Sequence, residues 1–158
     1  MLSALLSDEP RLSGVVAERP EVAAEADRTF ASQGLSARAR GVGADFFEQV
    51  PGGGDVYTLA NVLHDWSDDD SVSILRTVRA AMTPAARLWV VEQVLDAPGR
   101  SPDQRRDLDF VDLHMLVMFG ARERTHAEYD VLLDAAGFGA STLLATGSTW
   151  NVLEARPR

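Results

Sequence analysis

The 158 residues are 46% hydrophobic and 25% charged, an ordinary balance for one soluble globular domain with its own core. The formal net charge of −9 argues against a nucleic-acid partner, and the absence of cysteine excludes disulfides and thiolate metal sites. No apolar run reaches the roughly 18 residues of a membrane span, and nothing at the N-terminus resembles a signal peptide, so we expect a cytoplasmic domain.

Short apolar runs alternate with helical patterns along the chain. Pro20 is typical of the first position of a helix, and Gly34 of the residue that ends one. Two capping boxes, "SPDQ" and "THAE", each open a later helix. In chain order we predict a strand at 13–17, a helix at 20–34, strands at 37–42 and 55–62, a helix at 67–83, a strand at 87–95, helices at 101–120 and 125–137, and strands at 141–147 and 149–157.

These elements predict an α/β sheet with helices on both faces and an antiparallel hairpin at the C-terminus. Ligands of such sheets bind at the carboxyl ends of the strands. His64 follows the strand "DVYTLANV" and stands at such an end, which favours a functional role over an incidental histidine. Helix capping and the helix dipole explain Ser67 and the acids at 68–70, so we predict no metal site among them.

Two acids are candidates to flank His64. Glu92 lies in the apolar run "LWVVEQVL", where an unpaired carboxylate is costly, and Glu123 lies in "GARERT" between two predicted helices. Strand ends and such connections can converge on one cleft, where carboxylates fix the tautomer of a histidine base and stabilise its imidazolium form. The alternative interpretations are an ion pair of Glu92 with an arginine and a solvated loop position for Glu123.

Three further residues suit a nucleotide ligand. Glu18 directly follows a strand, a position where an acid commonly accepts hydrogen bonds from ribose hydroxyls. Asp45 follows the next strand and can hold an adenine amino group, while Trp66 can stack on the adenine or face a cationic ligand. A surface acid and ordinary core packing are the alternative interpretations for Glu18 and Trp66.

Taken together, several segments resemble the plant-type O-methyltransferase family that uses S-adenosylmethionine, in its bacterial branch. The segments are "ADFF", "LHDWSDDD", "VVEQVL", "DLHMLVMFGARERT" and "YDVLLDAAGF". They occur in the family's order and approximate spacing and cover nearly the whole chain. The resemblance implies a Rossmann-like methyltransferase sheet and methylation of a hydroxyl on a small aromatic or polyketide-like metabolite.

The same resemblance implies roles for particular residues. His64 would be the general base that takes the proton of a phenolic or enolic hydroxyl, Glu92 and Glu123 would flank it, and no metal would be needed. The residues that would contact the S-adenosylmethionine cofactor are Glu18, Asp45, Phe46 and Trp66. Those that would lie near the acceptor substrate are Asp65, Met115 and Phe119.

The chain also departs from the family pattern. It opens with "MLSALLSDEP", which is similar to the helix after the family's first strand and glycine-rich loop, and "ERP" at 18–20 replaces a "DLP" turn. Ala121 stands where many relatives have glycine. We therefore interpret residues 1–158 as a partial catalytic domain that lacks its first strand and the N-terminal dimerisation domain. We expect weak cofactor binding by this segment alone, and unpaired strand edges that favour a homo-oligomer or a complementary chain.

Three interpretations of this departure stay open. The chain can be a fragment of a longer enzyme, one part of a split enzyme, or a non-catalytic relative that acts as a binding or scaffold module. Retention of His64, Glu92 and Glu123 favours descent from a working enzyme. Some members of the family use the bound cofactor to assist a different reaction on polyketide-like substrates, and the retained histidine argues against that role here.

Overall fold

A computed structural model describes residues 1–146 and 148–158, without the side chains of Phe119 and Ala145. The chain forms two compact units, Met1–Pro51 and Gly52–Arg158, and each has its own β-sheet. The expected α/β architecture is confirmed, and every predicted helix and strand is present. Among the described residues no helix combines the length and apolarity needed to cross a membrane.

The first unit packs two helices against a parallel strand pair. Its core consists of Leu6, Phe30, Leu35 and Ala39. A Cβ at Gly41 would lie 2.1 Å from the carbonyl oxygen of Ala23, so glycine is required where the second helix approaches the second strand. The elements are α1 (Leu2–Asp8), β1 (Gly14–Glu18), α2 (Pro20–Ser32) and β2 (Ala39–Gly43), and β1 pairs with β2 from Gly14 opposite Ala39 to Glu18 opposite Gly43.

The second unit holds a four-stranded mixed sheet. Its elements are β3 (Val56–Ala60), a 3-10 turn (Leu63–Asp65), α3 (Asp68–Ala81), β4 (Arg87–Glu92), α4 (Pro102–Phe119), α5 (His126–Ala135), β5 (Thr142–Ala145) and β6 (Asn151–Ala155). The strand order is β3-β4-β6-β5; β3 and β4 are parallel, and β6 runs antiparallel to both of its neighbours. The predicted C-terminal hairpin is therefore confirmed, and β3 is an edge strand of this sheet.

Local sequence signals explain where these helices begin. Ser67 accepts a hydrogen bond from the Asp70 amide, and both predicted capping boxes form, at Ser101 and at Thr125. Strand β4 is shorter than predicted and ends at Glu92, because the chain beyond it bonds elsewhere: the amide of Leu95 donates to the carbonyl of Arg124. This departure from the sheet helps to build the candidate site.

The core of the second unit lies beside β4. Leu88 and Val90 of this strand are fully buried, as is Leu153 opposite Val90 on β6. Ile74 and Leu75 of α3 are also fully buried. A rigid core of this kind fixes the carboxyl ends of β3 and β4, where the candidate site residues begin.

Candidate active site

His64 sits on the 3-10 turn that follows β3. The chain leaves the sheet at Asn61, which has a positive φ of 53° and whose amide still donates to the carbonyl of Val91. The next two amides, of Val62 and Leu63, both donate to Oε1 of Glu92 at 3.0 Å. The buried end of β4 thus holds the backbone that carries the histidine.

The imidazole of His64 is surrounded by three carboxylates. Its Nδ1 lies 2.9 Å from Oε1 of Glu123 and 3.7 Å from Oε2 of Glu92, and its Nε2 lies 3.5 Å from Oδ1 of Asp65. Because Nδ1 faces two acceptors, the neutral ring carries its proton there and donates it to Glu123. Nε2 then bears the lone pair, and this side chain is 13% exposed.

The proton affinity of His64 follows from these neighbours. The hydrogen bond to Glu123 raises the pKa of the imidazole above its ordinary value, and the charges of Glu92, Glu123 and Asp65 raise it further. Burial acts in the opposite direction and offsets part of the effect. The result is a stronger base than a free histidine, placed at the surface of a buried acidic pair.

Glu92 is the last residue of β4 and is completely buried. Burial raises its pKa to about 7, and the nearby imidazole and the Val62 amide lower it by smaller amounts. Its Oε2 has no hydrogen-bond partner among the described residues. A carboxyl group with a pKa near neutral pH beside a histidine is typical of functional sites. In a purely structural role, a fully hydrogen-bonded carboxyl group would cost less free energy to bury.

Glu123 reaches the site from the segment between α4 and α5. Its side chain is 1% exposed, and its amide donates to Oδ1 of Asp112 at 2.8 Å. Helix α4 therefore sets the backbone position from which the carboxylate meets the imidazole. The alternatives considered from sequence are wrong for both acids: among the described residues no arginine pairs with Glu92, and Glu123 is buried rather than solvated.

One possible metal-ligand atom is offered by each of His64, Glu92 and Glu123, and these three atoms lie within 4.8 Å of one another. The hydrogen bond from Nδ1 of His64 already engages the Glu123 oxygen, so imidazole and carboxylate satisfy each other without an ion. The predicted absence of a metal stays a prediction.

Asp65 and Trp66 border a surface concavity of about 460 Å³, together with Ser67, Asp70 and Gly120. The Asp65 side chain is 42% exposed, and Trp66 is half-buried. Met115 of α4 is buried at 5% exposure, and Phe119 ends the same helix with a side chain outside the described part of the structure. Asp65 is thus the predicted substrate-side residue that touches the imidazole.

Glu18, Asp45 and Phe46 belong to the first unit. The amide of Ala44 donates to the carbonyl of Glu18, so Glu18 and Asp45 lie at the same edge of the β1–β2 pair, at the carboxyl ends of both strands. Both side chains are exposed; that of Glu18 accepts a hydrogen bond from the Arg19 amide and that of Asp45 from the Phe47 amide. Phe46 is half-buried, with its ring centroid 5.2 Å from that of Phe47.

Comparison with known proteins identifies the family and the fold of the chain. A family model described as an O-methyltransferase domain matches residues 1–139. The chain belongs to this family. The resemblance seen in the sequence motifs is therefore confirmed.

Two of the proteins similar to this O-methyltransferase domain come from bacteria. It is 43% identical over 99% of its length to a phenazine O-methyltransferase of Lysobacter antibioticus, of which it covers 45%. It is 47% identical over 87% of its length to an O-demethylpuromycin-O-methyltransferase of Streptomyces alboniger, of which it covers 36%. The chain thus spans less than half the length of these relatives.

The fold of the domain matches solved methyltransferases as well. The crystal structure of an O-methyltransferase from neocarzinostatin biosynthesis, in complex with S-adenosylmethionine and 2-hydroxy-5-methyl naphthoic acid, superposes with a TM-score of 0.88. The two sequences are 34% identical, and the match covers 99% of this chain and 45% of the other. The predicted Rossmann-like methyltransferase fold is confirmed.

Two residues that build the candidate site were not predicted from the sequence. Asp112 and Arg124 stood there only within the motif "DLHMLVMFGARERT". Arg124 is 1% exposed and bonds to the turn that carries His64. An arginine directly after a candidate acid is the one signal that was available, and it is too common to be decisive.

Proposed function

We propose that this chain is the catalytic part of an S-adenosylmethionine-dependent O-methyltransferase in which His64 is the general base. Its substrate is a hydroxyl of a small aromatic or polyketide-like metabolite. The observation that carries the proposal is the hydrogen bond from Nδ1 of His64 to the buried Glu123, which leaves Nε2 as the proton acceptor.

The proton chemistry follows from the two faces of the ring. The hydroxyl proton of the substrate passes to Nε2, so that the substrate oxygen becomes a stronger nucleophile. The imidazolium that forms is stabilised by Glu123 at 2.9 Å and by Glu92 at 3.7 Å. Both acids are buried, where the attraction between opposite charges is stronger than in water.

We assign the substrate hydroxyl to the Asp65 side of the imidazole. Asp65 lies 3.5 Å from Nε2 and also borders the concavity, so a hydroxyl that binds next to the Asp65 carboxylate is within reach of the basic nitrogen. Met115 and Phe119 are proposed to line the acceptor pocket, a role supported by their place on the same helix as Asp112, which holds Glu123.

Four residues are proposed to hold the cofactor. Glu18 and Asp45 fit its adenosine, because both exposed carboxylates stand at the carboxyl ends of parallel strands, where ribose hydroxyls and an adenine amine find acceptors. Phe46 in the first unit and Trp66 in the second each carry an aromatic ring of the kind that stacks on a base, and each is proposed as a cofactor contact by itself. When bound, S-adenosylmethionine supplies a methyl group activated by a sulfonium centre. The enzyme's own contribution is to align the substrate oxygen and remove its proton.

We also propose that residues 1–158 are a partial catalytic domain that acts as a homo-oligomer. Helix α4 supports this, because five of its large apolar side chains are at least 55% exposed, more than a lone domain normally leaves open. The helix carries three acids and two arginines between residues 103 and 109, so a second copy of it meets no uniform like charge. The five exposed apolar side chains of α4 are Phe110, Leu113, Leu116, Val117 and Met118. A cytoplasmic location remains a prediction for fractionation to test.

The deciding experiment compares the natural protein with its His64→Gln variant. Both receive S-adenosylmethionine with a deuterated methyl group and a panel of phenols and hydroxylated polyketides, and mass spectrometry follows the labelled ether product. We expect transfer by the wild type and a decrease of about 10²–10⁴-fold in His64→Gln. The control His126→Gln removes an imidazole that bonds to Ser141 outside the site and should stay active. Cofactor binding without any transfer would instead support the binding-module interpretation.

A further inference from the structure

Arg124 connects the candidate site to the backbone that carries its base. Its Nη1 donates to the carbonyl of Leu63 and its Nη2 to the carbonyl of Trp66, both at 2.7 Å. Its Nε donates to Oδ1 of Asp68 at 2.9 Å, at the start of α3. The guanidinium group therefore bridges the residue before His64 and the residues after it.

Other hydrogen bonds to the turn are longer, and one of them comes from the Ser71 hydroxyl, which also donates to the Leu63 carbonyl, at 3.4 Å. Within it the amide of Asp65 donates to the carbonyl of Val62 at 3.1 Å, and the Trp66 amide donates to Leu63 at a longer 3.3 Å. Glu92 binds the amides of Val62 and Leu63, and Arg124 binds the carbonyls of Leu63 and Trp66. Two buried ionisable side chains thus hold the short segment, one through its amides and the other through its carbonyls.

Adjacency in the chain couples the base to its partner. Glu123 fixes the imidazole through Nδ1, and the next residue, Arg124, fixes the backbone beneath that imidazole. The connecting backbone is itself held, since the Glu123 amide donates to Asp112 and the Arg124 carbonyl accepts from the Leu95 amide. Neither side chain can shift without changing the distance between His64 and Glu123.

We propose that Arg124 is a positioning residue, which holds the Leu63–Asp65 turn so that the His64 imidazole stays in hydrogen-bonding register with Glu123. Only arginine suits the position, because a planar guanidinium presents donors in several fixed directions and a lysine ammonium cannot span both carbonyls and the carboxylate. The role in catalysis rests on the proposed function of His64; the role in positioning does not.

The test measures the imidazole itself. Histidines of the natural protein are labelled with ¹⁵N, and NMR follows the titration midpoint of His64 and its Nδ1 proton in the wild type and in Arg124→Lys, which preserves the charge. Glu123, Glu92 and Asp65 all face this ring and stay unchanged. We expect the midpoint of Arg124→Lys to fall toward the ordinary histidine value, by about half a unit or more, as the hydrogen bond to Glu123 is lost.

Arg122→Gln is the matched control. Arg122 also pairs with Asp68, at 3.2 Å, but its side chain is half-exposed. Its second ion pair is with Glu128, not with the turn that carries His64. Its variant should leave the His64 midpoint unchanged. A folded Arg124→Lys protein with the wild-type midpoint and the wild-type Nδ1 signal overturns the proposal.

If Arg124→Lys does not fold, a backbone variant decides. An ester in place of the amide between Trp66 and Ser67 weakens the Trp66 carbonyl as an acceptor and leaves every side chain in place. A fall of the midpoint smaller than the one expected for Arg124→Lys supports the proposal, and an unchanged midpoint overturns it.

A kinetic comparison tests the catalytic role of Arg124 with the folded Arg124→Lys variant, which should have a lower kcat and nearly the same KM as the wild type. Active His64→Gln would defeat the proposed function while leaving the titration result intact.

Discussion

His64 donates from Nδ1 to Oε1 of Glu123 across 2.9 Å, although the two residues are 59 positions apart in the chain. The bond joins a turn after β3 to a segment between two helices. It gives the imidazole a fixed tautomer and a raised pKa, which are the two properties that a general base at neutral pH requires. Four of the five predictions below concern this site or the chemistry proposed for it.

The first prediction concerns the pH dependence of methyl transfer. Only the neutral imidazole accepts a proton, and the pKa of His64 is raised, so the rate should rise with pH through a midpoint above the ordinary value of about 6.5. Glu123→Gln removes the largest cause of the shift, and the midpoint should move downward. The profile is measured as kcat/KM between pH 5 and pH 9. Glu48→Gln, an exposed acid of the first unit, is the control, and a midpoint unmoved by Glu123→Gln contradicts the assignment.

The second prediction concerns stability and Glu92. Burial raises the pKa of this carboxyl to about 7 in the folded protein, so its contribution to stability is complete below about 4.5 and is lost as the pH rises through 7. Glu92→Gln cannot ionise. Relative to the wild type it should therefore gain roughly 1–3 kcal/mol between pH 4.5 and pH 8. Urea denaturation at both pH values checks this, with Glu25→Gln as an exposed control; parallel pH curves for Glu92→Gln and the wild type would refute it.

The third prediction concerns the cofactor. Glu18→Gln and Asp45→Asn each remove one charged acceptor at the β1–β2 edge, and a hydrogen bond to a charged group is worth about 1.5–3 kcal/mol. Each should weaken binding of S-adenosylhomocysteine by at least about tenfold in isothermal titration calorimetry. Glu21→Gln alters a nearby exposed acid and should bind normally. Equal affinity in all four proteins would remove both residues from the proposed site.

The fourth prediction concerns metal ions. His64, Glu92 and Glu123 resemble a possible ligand set, but the proposed proton transfer uses Nε2 and the carboxylates alone. Dialysis against EDTA should leave the rate of methyl transfer unchanged, and added Mg²⁺, Mn²⁺ or Zn²⁺ should not raise it. Loss of activity on chelation, restored by one of these ions, would replace the general-base mechanism with a metal-assisted one.

The fifth prediction concerns association through α4. Phe110→Glu combined with Val117→Glu places two charges on the exposed apolar face of this helix, where the side chains are 66% and 73% exposed. The double variant should sediment as a smaller species than the wild type and bind less hydrophobic dye. Val131→Glu changes a similarly exposed residue of α5 and serves as the control. A wild-type protein that is already monomeric at tens of micromolar contradicts the expectation of a homo-oligomer.

Local signals predicted the elements of this protein well. Capping boxes at Ser101 and Thr125 form as expected because their hydrogen bonds join residues three positions apart, so neighbours in the sequence suffice to specify them. The end of β4 was misplaced because what ends it is a bond from Leu95 to the distant Arg124. The described strands form two sheets, β1-β2 and β3-β4-β6-β5, and no described strand belongs to both.

By itself the sequence determined the α/β class, the helix and strand pattern, the family, and His64, Glu92 and Glu123 as residues to consider together. Only the tertiary structure decided that Nδ1 of His64 meets Glu123, that Glu92 holds the turn through two amides, and that Arg124 holds it through two carbonyls. The physical reason is the range of the interactions. Helix caps and hydrophobic periodicity act between near neighbours, whereas burial, the pKa of a carboxyl group and the partner of a guanidinium depend on segments that folding brings together from 29 to 61 residues apart.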